Sequence, residues 1–192
     1  MPALKILVIP GSLRTGSLNV RLAATAAHQF AQAGVEVTRI SLADFSLPVY
    51  DADLQSKSGV PKNAVNLKRM IGAHHGVLMV TPEYNANVPP LVKNTIDWVS
   101  RVQDANETRG QVFRGRAFAI AAASESRLGG TRSLAALRLI LTACHAVVIP
   151  NQLALSFSSD AYDDMDRLKH PADIEALGAL VRQLIEFSQR LM

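Results

Sequence analysis

Five short runs of the chain are read as strands from their length and their apolar residues: Leu4 to Pro10, Val35 to Ile40, Gly76 to Thr81, Ala117 to Ala123 and Ala146 to Pro150. Runs of this length without polar alternation predict strands buried on both faces, as in a parallel sheet covered by helices. Between them the period changes. Val20, Ala23, Ala27, Phe30 and Ala31 fall on one helical stripe, as do Leu134, Leu137, Leu141 and Cys144, and later Ile174, Leu177, Val181, Leu184 and Leu191. An early proline predicts two further helices, Pro61 to His74 and Pro90 to Val102. The strand and helix alternation predicts an α/β fold with a doubly wound, five-stranded parallel sheet and helices on both faces. The sheet order 2-1-3-4-5 places a ligand beyond the carboxyl ends of strands 1 and 3, where strand order reverses.

No repeat or linker divides the chain, so residues 1–192 are expected to form one domain. The longest stretches without a pattern are Asp44 to Gly59, Gln103 to Gly115 and Asn151 to His170. Apolar residues make up 48% and charged residues 19%, which excludes disordered and fibrous classes. The single cysteine, Cys144, lies on a helical stripe and reads as a packing residue of a chain in a reducing compartment, here the cytoplasm. No apolar run approaches the roughly 20 residues of a membrane helix, and the first run is too short for a signal segment. A net charge of +4 favours anionic ligands, but the arginines are scattered and no nucleic-acid motif accompanies them.

The chemistry gathers at the two loops that the topology selects. Pro10-Gly-Ser-Leu-Arg-Thr-Gly-Ser-Leu-Asn19 runs from a strand into a helix, so its N–H groups and the helix N-terminus face an anion. Ser12, Ser17 and Asn19 add neutral donors, and Arg14 adds a guanidinium suited to forked contact with phosphate. The plainer alternative makes Ser17 a helix cap and Gly11 and Gly16 turn residues. Ser17 stands where a P-loop needs lysine, and Leu13 replaces the second glycine of a dinucleotide fingerprint, so a monophosphate fits better than a triphosphate or pyrophosphate. In the second loop, Thr81-Pro-Glu-Tyr-Asn-Ala-Asn-Val-Pro-Pro90, prolines stiffen a segment whose aromatic and amide groups suit a planar ring. A surface Tyr84 above a turn closed by Glu83 and Asn85 is the plainer reading there.

These segments, with Lys93-Asn-Thr-Ile-Asp-Trp98, make the chain resemble the NAD(P)H-dependent FMN reductase family, which includes bacterial quinone and chromate reductases. The resemblance covers nearly the whole chain. It implies a flavodoxin-like fold, with Ser12, Arg14, Ser17, Leu18 and Asn19 around the FMN phosphate and Pro82, Glu83, Tyr84 and Asn85 along the isoalloxazine ring. Ser124, Gly129 and Gly130 then stand near the ring's other edge, in a loop followed by the helix of Leu137-Arg138, and Ala161 to Leu168 resembles the family's late loop. Glu125 and Ser126 replace a frequent proline and glycine, and Pro90 a frequent glycine.

The implied activity passes hydride from NADPH or NADH through bound FMN to a small oxidised acceptor, namely a quinone, free flavin, azo or nitro compound, or chromate. Flavin chemistry needs no protein acid or base, and no catalytic triad motif or metal-ligand motif is present. His74 and His75 are expected at a helix end, and the acidic run around Asp163 lacks the pattern of a calcium loop. One ring face used in turn by donor and acceptor implies ping-pong kinetics. Arg109, Arg114, Arg116 and Arg127 suggest a preference for the 2′-phosphate of NADPH. A flavodoxin-like electron carrier or regulatory FMN module is the alternative. Val92, Ile96, Trp98 and Val99 give the fourth helix more apolar breadth than one sheet contact uses, which together with the resemblance predicts a homodimer, or a tetramer.

Overall fold

The computed structural model describes residues 3–192. Its strands are β1 (Lys5–Pro10), β2 (Glu36–Arg39), β3 (Gly76–Val80), β4 (Ala117–Ala123) and β5 (Val147–Leu155). They form one parallel sheet in the order β2-β1-β3-β4-β5. Every residue of β3 and β4 is buried, because helices cover both faces of these central strands. Helices α1 (Leu18–Gln32) and α6 (Pro171–Arg190) cover one face, placing Leu22, Phe30, Leu177 and Leu184 against Ile6, Val8 and Leu78. On the other face α3 (Lys62–Gly72), α4 (Pro90–Val99) and α5 (Thr131–Ala143) place Leu67, Ile71, Ile96 and Leu137 against Leu7, Val77 and Ile120.

Three segments depart from the sequence expectation. First, the stretch from Asp44 to Gly59 is not irregular: it contains α2 (Ala52–Ser58), whose N-terminus is capped by Asp51 accepting from the Asp53 and Leu54 N–H groups. None of its residues is buried, so it carries no apolar stripe for a periodicity reading to find. Second, β5 does not stop at Pro150 but runs on to Leu155, through a bulge where the pairing shifts from Phe118↔Val148 to Ile120↔Gln152. An edge strand tolerates this proline. Arg138 donates to the carbonyls of Val148 and Ile149 at 3.3 and 3.0 Å, and Gln183 accepts from Asn151 N–H at 2.8 Å, which replaces lost ladder bonds.

Third, the apolar breadth of α4 is covered within the chain. Trp98 is fully buried, donates through Nε1 to the Pro48 carbonyl at 2.7 Å, and meets the Tyr50 ring edge-on at 5.1 Å between centroids. The helix pattern therefore reports a contact with the segment before α2, not a subunit contact. The histidines follow expectation: His74 Nδ1 lies 2.6 Å from the Met70 carbonyl at the end of α3, and His75 Nδ1 accepts from the Lys5 N–H. Cys144 is half-buried against the α3–α5 core, and burial pushes its thiol pKa up. Among the described residues, no helix is long and apolar enough to cross a membrane.

Candidate functional site

Because β1 leads away to β2 and β3 leads the other way to β4, the loops following β1 and β3 diverge and leave a cleft between them. The first wall is the loop 11–17. Ser17 is the N-cap of α1 but makes no side-chain capping bond, and the helix has no acidic residue in its first turn. The first-turn N–H groups, which no helix can satisfy internally, therefore have neither a side-chain cap nor a competing carboxylate from their own helix. Ser12 is nearly buried and its Oγ accepts from the Arg14 N–H at 3.3 Å. Arg14 is exposed and has no ion-pair partner among the described residues. Open N–H groups, two serines and a free guanidinium fit an anion such as a monoester phosphate.

Asn19 is placed differently. Its Nδ2 donates to the Ala123 carbonyl and its Oδ1 accepts from the Ala123 N–H, both at 2.9 Å and both buried. On that side of β4 the last rung supplied by the chain after β3 is Thr81 N–H to the Ala121 carbonyl, at 2.8 Å. Ala123, two residues on, faces the same way and finds no third-strand partner, because Pro82 turns the chain off. The Asn19 carboxamide stands in for the missing peptide group and ties α1 to the tip of β4. What Asn19 retains for an anion is its own backbone N–H.

The second wall, after β3, begins at buried Pro82 and ends in a tight turn in which Tyr84 and Asn87 exchange both backbone hydrogen bonds, at 2.9 and 3.0 Å. Asn85 and Ala86 sit at φ values of 49° and 64°, the left-handed conformation that a type I′ turn demands and alanine seldom adopts. Tyr84 is 52% exposed at the tip. The Glu83 carboxylate turns away to the N-terminus of α5, where it accepts from the N–H groups of Arg132 and Ser133 at 3.1 and 3.2 Å. Arg132 adds Nε at 2.7 Å and a close Nη2 contact. Burial opposes its ionisation, but these donors outweigh burial and hold the Glu83 pKa below the usual carboxylate range.

The third wall is Ser124 to Gly130. Ser124 braces its own turn, its Oγ accepting from the Ser126 N–H at 3.2 Å. Glu125 accepts from the Ser159 N–H and hydroxyl at 2.9 and 2.6 Å, fastening this loop to the one after β5. Gly129 and Gly130 have φ values of 59° and 88°, and a Cβ would lie 2.6 Å from the Ala154 carbonyl oxygen or 2.7 Å from the Ala122 Cβ. Both glycines let the loop pack closely on the ends of β4 and β5. Leu13, Tyr84, Leu128 and Phe157, on the loops that follow β1, β3, β4 and β5 respectively, are 45–55% exposed.

A hollow of about 1150 Å³ runs along the outer side of α1 past Arg21 and His28 to Asp163–Leu168, and meets the loop 11–17 and the start of α1 only at Gly16 to Leu18. It is a groove beside the cleft; topology and donors, not this hollow, locate the cleft between the walls. In the late loop, Asp163 accepts from the N–H groups of Met165 and Arg167, both at 2.9 Å, and Asp166 pairs with Arg21 of α1. Of the arginines suggested for NADPH, only Arg127 lies at this end of the sheet. Arg109, Arg114 and Arg116 precede β4 at its opposite end, and Arg116 is spent on the carbonyls of Val112 and His74.

Comparison with known proteins gives the family. The family model for NADPH-dependent FMN reductase matches residues 4–160. The chain is 40% identical over 147 residues to a quinone reductase of Escherichia coli (strain K12), covering 76% of this chain and 73% of that protein. It is 36% identical over 169 residues to an NAD(P)H-dependent FMN reductase of Pseudomonas aeruginosa, covering 86% and 84% respectively. The structure of FerB, a flavoenzyme NAD(P)H:(acceptor) oxidoreductase from Paracoccus denitrificans, superposes with a TM-score of 0.79 at 25% identity over 98% of both chains. The fold is flavodoxin-like, and the chain belongs to the NADPH-dependent FMN reductase family, oxidoreductases that work with FMN and NAD(P)H.

Proposed function

We propose that this protein takes hydride from NAD(P)H onto FMN held at the switch-point cleft and passes it to a quinone, with donor and acceptor using one ring face in turn. The observation that carries the reading is the phosphate loop, where unsatisfied first-turn N–H groups, Ser12, Ser17 and the unpaired Arg14 converge with no carboxylate among them. Leu18 and Asn19 contribute through their N–H groups. Pro82, Tyr84, Asn85 and the main chain of Glu83 line one edge of the ring, and Ser124, Gly129 and Gly130 the other. Bound FMN supplies the hydride chemistry; the chain supplies binding, orientation and an apolar rim. That rim, Leu13, Tyr84, Leu128 and Phe157, favours a flat apolar acceptor over an oxyanion such as chromate. The same exposed rim supports a homodimer that buries it beside the site in a cytoplasmic enzyme.

The test has two parts. Under anaerobic conditions NADPH bleaches the FMN absorbance within seconds and a benzoquinone restores it, whereas an electron carrier stays yellow. Arg14→Ala removes one or two charge-assisted hydrogen bonds worth roughly 1.5–3 kcal/mol in total, weakening FMN about 10- to 100-fold. Riboflavin, lacking the phosphate, loses little. Equal losses for both ligands reject the phosphate site.

A further inference from the structure

We infer that Glu83 is a positioning residue that sets the redox balance of the bound flavin: it masks the positive charge of Arg132 and the α5 N-terminus while locking two ring-side loops together. The inference rests on the FMN reading above. Glu83 lies between Pro82 and Tyr84 in one loop, and its carboxylate is held by the backbone and guanidinium of residues 49 and 50 positions later. Its side chain is only 7% exposed. Gly130, immediately before α5, is that helix's N-cap and offers no side-chain cap, so Glu83 caps the helix from a distance.

Two consequences follow from this one carboxylate. The position of Gly129 and Gly130 relative to Pro82–Asn85 is fixed through α5, so the width available to a planar ring depends on the tie. The electrostatic consequence is separate. A guanidinium and a helix N-terminus both favour negative charge nearby, and a reduced flavin carries more of it than an oxidised one. With Glu83 ionised in place, the carboxylate offsets their positive potential. Without it, the positive charge stands uncompensated at the ring edge.

The experiment compares Glu83→Gln, which keeps the shape and loses the charge, with Arg132→Gln, which removes the opposite charge from the same pair. FMN-loaded proteins are titrated anaerobically against a reference dye to obtain the midpoint potential, and the Kd values of oxidised FMN and riboflavin are measured alongside. Loss of one charge across a single loop, at an effective dielectric near 20, is felt as about tenfold in an equilibrium constant. Glu83→Gln is expected to bind reduced FMN about tenfold more tightly relative to oxidised FMN, an upward shift of about 30 mV for a two-electron couple. Arg132→Gln shifts it downward. A general loosening of the pocket moves both variants the same way, and that result, or no shift in either, overturns the inference. Glu83→Ala, which also breaks the tie, weakens FMN and riboflavin by similar factors; selective loss of FMN contradicts a ring-side role. Failure of the wild-type protein to bind FMN at all sinks the underlying reading instead.

Discussion

Replacing Asn19 by Ala separates two roles that the sequence alone leaves merged. If the carboxamide binds phosphate, its removal weakens FMN and leaves the empty protein intact. The structure instead spends both ends of the carboxamide on Ala123, at 2.9 Å each, inside the fold. Asn19→Ala therefore orphans one N–H and one carbonyl at a buried position, and each orphan costs about 1–3 kcal/mol. The sum, roughly 2–6 kcal/mol, is a large share of a stability of about 5–15 kcal/mol. For a domain of this size, each kcal/mol moves the midpoint by about 2–4 °C, which places the loss on the order of 5–20 °C.

The assay is thermal unfolding of the flavin-free protein followed by near-UV circular dichroism, with FMN and riboflavin affinities measured on the same preparations. Asn19→Asp serves as a second arm. Its carboxylate keeps the acceptor for the Ala123 N–H but sets an oxygen against the Ala123 carbonyl, so at neutral pH it costs at least as much as alanine. Both variants weaken FMN and riboflavin alike, through the shared displacement of α1 and the third loop. A midpoint within about 2 °C of wild type, joined to selective loss of FMN, would show that the Ala123 tie carries no weight and that Asn19 is a phosphate ligand.

Two further outcomes follow from local geometry. Ala86→Gly relieves a left-handed alanine at φ 64° in the turn after β3; the gain of about 1–2 kcal/mol exceeds the added freedom of the unfolded chain, and a net stabilisation of about 0.5–1 kcal/mol is expected by urea titration. A destabilised variant would mean that the turn is not strained. Lys68, 7% exposed, meets Asp104 at 2.5 Å and also contacts Glu107, fastening the 103–107 loop to α3. Burial pulls the Lys68 pKa down, yet the two carboxylates outweigh it and leave it raised, while Lys68 depresses both of theirs. The carboxylates' contribution is present above their ordinary values near 4 and fades as pH falls through the depressed ones; that of Lys68 is complete below about 10.4 and fades above it. The difference in midpoint between wild type and Lys68→Met should thus be widest between about pH 5 and 10 and shrink at pH 3; a gap that does not vary with pH contradicts an electrostatic tie.

The central strands were legible because burial on both faces leaves an unambiguous trace: β3 and β4 tolerate no polar residue, whereas β2, at the sheet edge and with no buried residue, does not meet the expectation of burial on both faces. The failures have equally physical causes. The second half of β5 lies beyond Pro150, where a bulge and contacts from the far-off Arg138 and Gln183 support the crossing. Trp98 on α4 looked like a surface for a second subunit because Pro48 and Tyr50, its cover, lie in a stretch whose own sequence shows no pattern.

The candidate site divides along a different line. Arg14 stands exposed and Ser12 and Ser17 are buried within the loop 11–17, whereas Asn19 and Glu83 are tied into the fold and the exposed Glu125 is tied to the loop after β5. A loop that binds a ligand and a loop that must be braced use the same short polar side chains, so composition cannot separate the two uses. Charge can. Carboxylates set around an anionic cofactor repel it unless other donors neutralise them, so Glu83 and Glu125 could be identified as braces from the acidity of residues in an anion site. The Arg132 guanidinium does this for Glu83, while Glu125 is tied away to the Ser159 N–H and hydroxyl. The neutral Asn19 carries no such mark, since an amide suits a phosphate and a strand end equally well, and its pairing 104 residues away is visible only in the folded chain.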